Sequence, residues 1–141
     1  MIRKLNRIFQ DYMREKRLKI GKAIWDKKEK TNIIKGNNFI EDNNIKSILF
    51  LRYDGKIGDM IVNSLMFREI KKIYPNIKIG LVARGAAIDI VRDNPYVDEI
   101  YEYNKDRKKI KNLALKIKEE KYDLLIDFSE MLRVNQMMLI N

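Results

Sequence analysis

The chain contains no cysteine and no histidine. Disulfides are therefore excluded, as are a zinc site built on thiolates or imidazoles and the Ser-His and Cys-His nucleophile pairs. Acid-base chemistry, if there is any, falls to Asp, Glu, Lys, Tyr or a bound metal. Only two prolines are present, Pro75 and Pro95, and each stands just beyond a stretch with helical spacing, where it closes the helix. No apolar run approaches the roughly 18 residues that a membrane-spanning helix needs, and the first residues lack the apolar core of a signal peptide. On these grounds the expected location is cytoplasmic. With 141 residues, 45% of them hydrophobic and 35% charged, the chain is large enough for one domain with a true core.

Charge is spread unevenly. Residues 1 to 30 hold eleven Lys or Arg against four Asp or Glu, so +7 of the chain's net +10 lies there, which marks a boundary. Within this leader, Leu5, Ile8, Phe9, Tyr12 and Met13 share one helical face, and Ile20 and Ile24 continue it less regularly. The spacing predicts a basic amphipathic helix. Three roles are open to it: a solvated helix packed on the domain, a peripheral anchor on an anionic membrane surface, or a nucleic-acid contact. Nucleic acid is the least expected, because no recognised binding module accompanies the charge. The single tryptophan, Trp25, would suit a membrane interface. Residues 31 to 45, rich in Asn and without period, read as a linker.

From Lys46 the pattern becomes an alternation of short apolar runs and amphipathic stretches. "SILFLRY", "IKIGLVA", "VDEIYEY" and "YDLLIDF" read as strands; "DMIVNSLMFREIKKIY", "AAIDIVRDN", "DRKKIKNLALKIKEEK" and "SEMLRVNQMMLI" read as helices. In the first long helix the spacing assigns Ile61, Leu65, Phe67 or Arg68, and Ile70 to the packed face. Four strand-helix alternations predict an α/β fold, a Rossmann-like doubly wound parallel sheet with right-handed crossovers and strand order 3-2-1-4 over residues 46 to 141. Ligands of such sheets gather beyond the carboxyl ends of the strands, near the point where the order reverses. The loop after the first strand is that place.

That loop is "RYDGKIGD", Arg52 to Asp59, with two glycines, two cations and two carboxylates in eight positions. Gly55 and Gly58 permit tight turns and close approach of a ligand. Asp59 stands where a helix begins, a position equally suited to capping. The loop has neither the Walker phosphate-loop order nor the dinucleotide fingerprint. Arg52, at the strand end, is placed to pair with Asp54 or Asp127, or to neutralise a phosphorylated ligand. Ser129 and Arg133 follow the fourth strand and approach the same edge. As alternatives they are a helix cap and a surface cation.

The stretch from "ILFLRYDGKIGD" through "YPNIKI" to "NPYVDEI", followed by "KYDLLIDFSEMLR", resembles the amino-terminal half of glycosyltransferase family 9, the ADP-heptose:lipopolysaccharide heptosyltransferases and their relatives. The resemblance covers residues 46 to 141 and none of the leader. It implies a GT-B architecture, of which this chain would be a partial amino-terminal, acceptor-side domain preceded by a basic helix. It implies a nucleotide-sugar donor such as ADP-heptose, a glycolipid acceptor of the lipopolysaccharide type, and no metal or other cofactor. The Asp of the family's Gly-Asp pair, here Asp59, would be the general base. Arg52, Asp54, Gly55, Gly58, Ser129 and Arg133 would line the acceptor side. Family members run past twice this length, so the chain is expected to be a fragment, a truncation or half of a split gene, inactive alone. The competing expectation is a non-catalytic α/β binding domain whose leader carries the function.

Overall fold

The computed structural model describes residues 2–25 and 38–128. Its centre is the strand β1 (Ser47–Arg52), flanked by β2 (Lys78–Ala83) on one side and β4 (Leu124–Asp127) on the other, with β3 (Glu99–Glu102) beyond β2. The order is β3-β2-β1-β4 and all three pairings are parallel. This is the order expected from the sequence. Ile48 faces Ile79 on one neighbour and Leu124 on the other, and Arg52 faces Ala83.

The continuous apolar run of β1 is explained by its central position. Ile48 and Phe50 pack into a cluster with Met60 and Phe67 of α3 (Ile57–Ile73) and Ala87 and Val91 of α4 (Ala86–Val91). The alternate residues Leu49, Leu51 and Tyr53 enter a second cluster with Ile110 and Ile117 of α5 (Arg107–Glu120). A strand covered on both faces has no polar side to show, so the two-residue alternation disappears from its sequence. Helices α3 and α4 cover one face while the chain steps from β1 to β3, and α5 covers the other as it returns to β4, as right-handed crossovers require. The start of α5 is held by Asp106, whose carboxylate accepts the amides of Lys108 and Lys109.

Two details differ from expectation. Ile61 and Leu65 are half exposed, and Met60 is buried in their place beside the expected Phe67 and Ile70. Apolar residues occur on several sides of this helix, so spacing alone does not fix its phase; the helix begins at Ile57, and the row through 60, 67, 70 and 74 meets the sheet. The segment read as a linker also contains a short helix, α2 (Phe39–Asp42). Ile40 and Ile45 pack on the first cluster and Tyr74 donates a hydrogen bond to Glu41, so core-packing residues begin before Lys46. The basic leader forms α1 (Ile2–Trp25), a single helix of 24 residues. No described helix is long and apolar enough to cross a membrane.

Candidate functional site

Parallel pairing brings the carboxyl ends of β1, β2 and β4 to one edge, and the loop after β1 occupies it. Tyr53 leaves the strand still buried, its ring 4.7 Å from that of Tyr103, which follows β3. The chain then turns. Asp54 Oδ1 accepts the amide of Lys56, and Gly55 adopts φ +78, in the left-handed region that favours glycine. The backbone carbonyl and guanidinium of Arg84 lie against Gly55, in van der Waals reach of any side chain placed there. Gly58 differs: it is inside the first turn of α3, with ordinary φ and open space around it.

Arg52 organises the loop. Only 8% exposed, it donates from Nη1 to the carbonyl of Phe128 at 2.8 Å, and its Nη2 pairs with Asp54 at 3.1 Å and with Asp59. Its Nε is buried without a hydrogen-bond partner. One guanidinium thus ties the loop after β1 to the residue that follows β4, across the point where strand order reverses. Lys56 adds a second, exposed cation, its Nζ 3.9 Å from Asp54 and 3.7 Å from Asp59. The cap position of α3 is occupied by Lys56, whose side chain makes no capping bond. Asp59 lies three residues further on, in the first turn, and its carboxylate turns towards Arg52 and Lys56.

The arrangement suits chemistry on an uncharged or anionic ligand. Asp59 is the more open carboxylate, its side chain 46% exposed against 27% for Asp54, and the positive end of the α3 dipole adds to the cations around it. A partly exposed carboxylate in such a setting can accept a proton or a hydroxyl hydrogen bond, while Lys56 faces solvent where an anionic substituent would arrive.

Of the residues expected from the sequence, Arg52, Asp54, Gly55, Gly58 and Asp59 come together at this edge. Ser129 and Arg133, the last predicted helix and the side chain of Trp25 lie outside the described residues. Sequence reading assigned no role to Lys56 and overlooked Arg84. The signal for Arg84 was available: it directly follows β2, whose carboxyl end is paired with that of β1. A cavity of about 370 Å³ lies on the α4 side, lined by Gly85, Ile88, Arg92, Ile100 and Glu102, with Gly85 directly after Arg84 and Glu102 paired with Ala83 at the end of β2. Among the described residues no group of three or more Asp or Glu is placed to hold a metal ion.

Comparison of the chain with protein-family models, with curated proteins and with solved structures finds no match.

Proposed function

We propose that the chain is the acceptor-side portion of a sugar-transferring enzyme that uses a nucleotide-sugar donor, with Asp59 as general base. The observation that carries this reading is the placement of a partly exposed carboxylate, flanked by Arg52 and Lys56, at the carboxyl edge of a parallel sheet where strand order reverses. The resemblance of the loop and strand sequences to the heptosyltransferase family supports it independently. In the reaction, the acceptor hydroxyl gives its proton to Asp59 as its oxygen attacks the anomeric carbon. The bond to the nucleoside diphosphate breaks on the opposite face, its electron pair leaves with the diphosphate, and the anomeric centre inverts. Arg52 holds Asp59 in place, and Lys56 meets an anionic group on the acceptor. Stabilisation of the departing diphosphate falls to a donor-binding domain.

Asp59→Asn tests the assignment. With a donor-binding domain supplied by fusion or in trans, this change is expected to lower turnover from ADP-heptose by roughly 10² to 10⁴ and leave donor affinity unchanged. The 141-residue chain alone is expected to give no transfer. Turnover by that chain, or near-normal turnover by Asp59→Asn in the completed enzyme, would contradict the proposal.

One observation favours a second reading. Arg52 engages both carboxylates of the loop at once, an arrangement that would close the loop of a non-catalytic binding domain equally well. Under that reading Asp59→Asn lowers stability and no transferase activity is found with any donor domain.

A further inference from the structure

Helix α1 carries a surface that the fold leaves unused. Leu5, Ile8, Phe9, Tyr12, Ile20 and Ile24 are each more than half exposed. On a helix with 3.6 residues per turn they fall within an arc of about 160°, wide enough for a continuous apolar face. Met13 is only partly exposed and extends the same face. At about 1.5 Å per residue the helix is about 36 Å long. Although that is long enough to span a bilayer, the helix is not apolar enough to do so. It holds eight Lys or Arg against two acids.

The positions of those charges indicate what covers the face. Lys16 and Lys19 project within the apolar arc and Arg17 stands at its border, all three exposed. Lys16 Nζ sits 4.9 Å from the ring centre of Tyr12. A protein core would not accommodate one ammonium group in the middle of its contact and a second inside its edge. A lipid headgroup layer does, because long stems lie along the apolar surface while their ends reach outward to phosphate. The two acids, Asp11 and Glu15, fall outside the arc, and Asp11 is paired with Arg14 at 3.7 Å.

We propose that α1 is a peripheral membrane anchor that lies in the plane of an anionic bilayer surface, with Leu5, Phe9, Tyr12 and Ile20 inserted and Lys16, Arg17 and Lys19 on lipid phosphates. The inference does not depend on the transferase reading. A sugar transferase acting on a glycolipid would gain from it, and so would a binding domain without catalysis.

The test uses the full chain and sedimentation with vesicles of phosphatidylcholine, alone or mixed with phosphatidylglycerol. The mixed vesicles are expected to bind roughly tenfold or more tightly at 0.1 M salt, since each cation near an anionic surface contributes about fivefold. At 1 M salt that preference should largely vanish, because the screening length falls from about 10 Å to about 3 Å. Two variants separate the contributions. Phe9→Gln with Ile20→Gln removes insertion without changing the charge, and Arg17→Glu with Lys19→Glu reverses the charge. Each pair is expected to lower binding roughly tenfold or more with an unchanged far-ultraviolet spectrum, because these side chains are exposed. Equal pelleting with both vesicle types would overturn the proposal. So would an anionic preference that Phe9→Gln with Ile20→Gln leaves intact, since charge alone would then explain it. Tighter binding to RNA than to mixed vesicles, unaffected by the same pair, would reassign the helix to nucleic acid and overturn it too.

Discussion

Ser47 and Asp123 exchange hydrogen bonds across the amino-terminal ends of β1 and β4. Asp123 Oδ2 accepts from the Ser47 amide at 2.9 Å and from the Ser47 hydroxyl at 2.8 Å, and the Asp123 amide donates to Ser47 Oγ at 3.0 Å. The amide of Lys46 joins them at 2.9 Å. This clasp sits at the opposite edge from the candidate site and fixes the register of the strand pair that creates it.

Stability should therefore depend on pH through Asp123. The Lys46 amide, then the Ser47 hydroxyl and amide, hold its carboxyl below the ordinary aspartate value. A carboxyl depressed in the folded state stabilises above its unfolded value, about 3.9, and the contribution is lost as pH falls through the lower folded value. Asp123→Ala is expected to cost about 1 kcal/mol near neutral pH, a modest figure because the site is exposed. Urea unfolding should show the gap between the two proteins closing below about pH 4. A gap that stays constant into the acid range would exclude the clasp as its source.

The two loop glycines should respond in opposite ways. Gly55→Ala forces a side chain into φ +78 beside Arg84 and is expected to destabilise by roughly 1 kcal/mol. Gly58→Ala places a methyl group in open space within a helix and is expected to be neutral or to stabilise by about 0.4 to 1 kcal/mol. Thermal unfolding of the two variants checks both. Should Gly58→Ala keep its stability yet lose acceptor binding, Gly58 marks a point where ligand approaches the backbone.

Arg52 and Lys56 carry the same charge in the same loop but should differ in weight. Arg52 is buried and holds three partners, so Arg52→Ala leaves Asp54 and Asp59 without their principal cation and frees the Phe128 carbonyl. The expected loss is about 2 to 4 kcal/mol, somewhat below the 3 to 5 for a fully buried pair because Asp59 remains partly hydrated. Lys56 is exposed and its contacts exceed 3.5 Å, so Lys56→Ala should change stability by less than about 0.5 kcal/mol. Chemical denaturation of both variants measures the difference, and comparable losses would show that loop charge, not burial, sets the cost.

Much of the scaffold was legible because its signals are local. The apolar runs "SILFLRY" and "YDLLIDF" announced strands, their alternation with amphipathic stretches implied parallel pairing, and the handedness of crossovers left the observed strand order as the natural outcome. The loop from Arg52 to Asp59 could be placed at the carboxyl edge for the same reason. The face of α3 was legible only in part: with apolar residues at 57, 60, 61, 62, 65, 66, 67, 70 and 73, several stripes fit one helix, and although Phe67 and Ile70 were expected on the packed face, only docking on the sheet selected Met60 over Ile61 and Leu65.

By itself, then, the sequence determined the four strands, the helices α3 to α5 between them, where the turn with Gly55 falls, and that the leader is a basic amphipathic helix, but not the short α2. These follow from residue spacing and from backbone preferences acting over a few positions. Arg52 was placed to pair with Asp54, and does; that it also takes Asp59, and what else meets at the sheet edge, only the tertiary structure decided. Arg52 reaches Phe128, 76 residues away, and Arg84 lies against Gly55. Electrostatic partnership depends on distance through space, and that distance is set only when the strands assemble side by side.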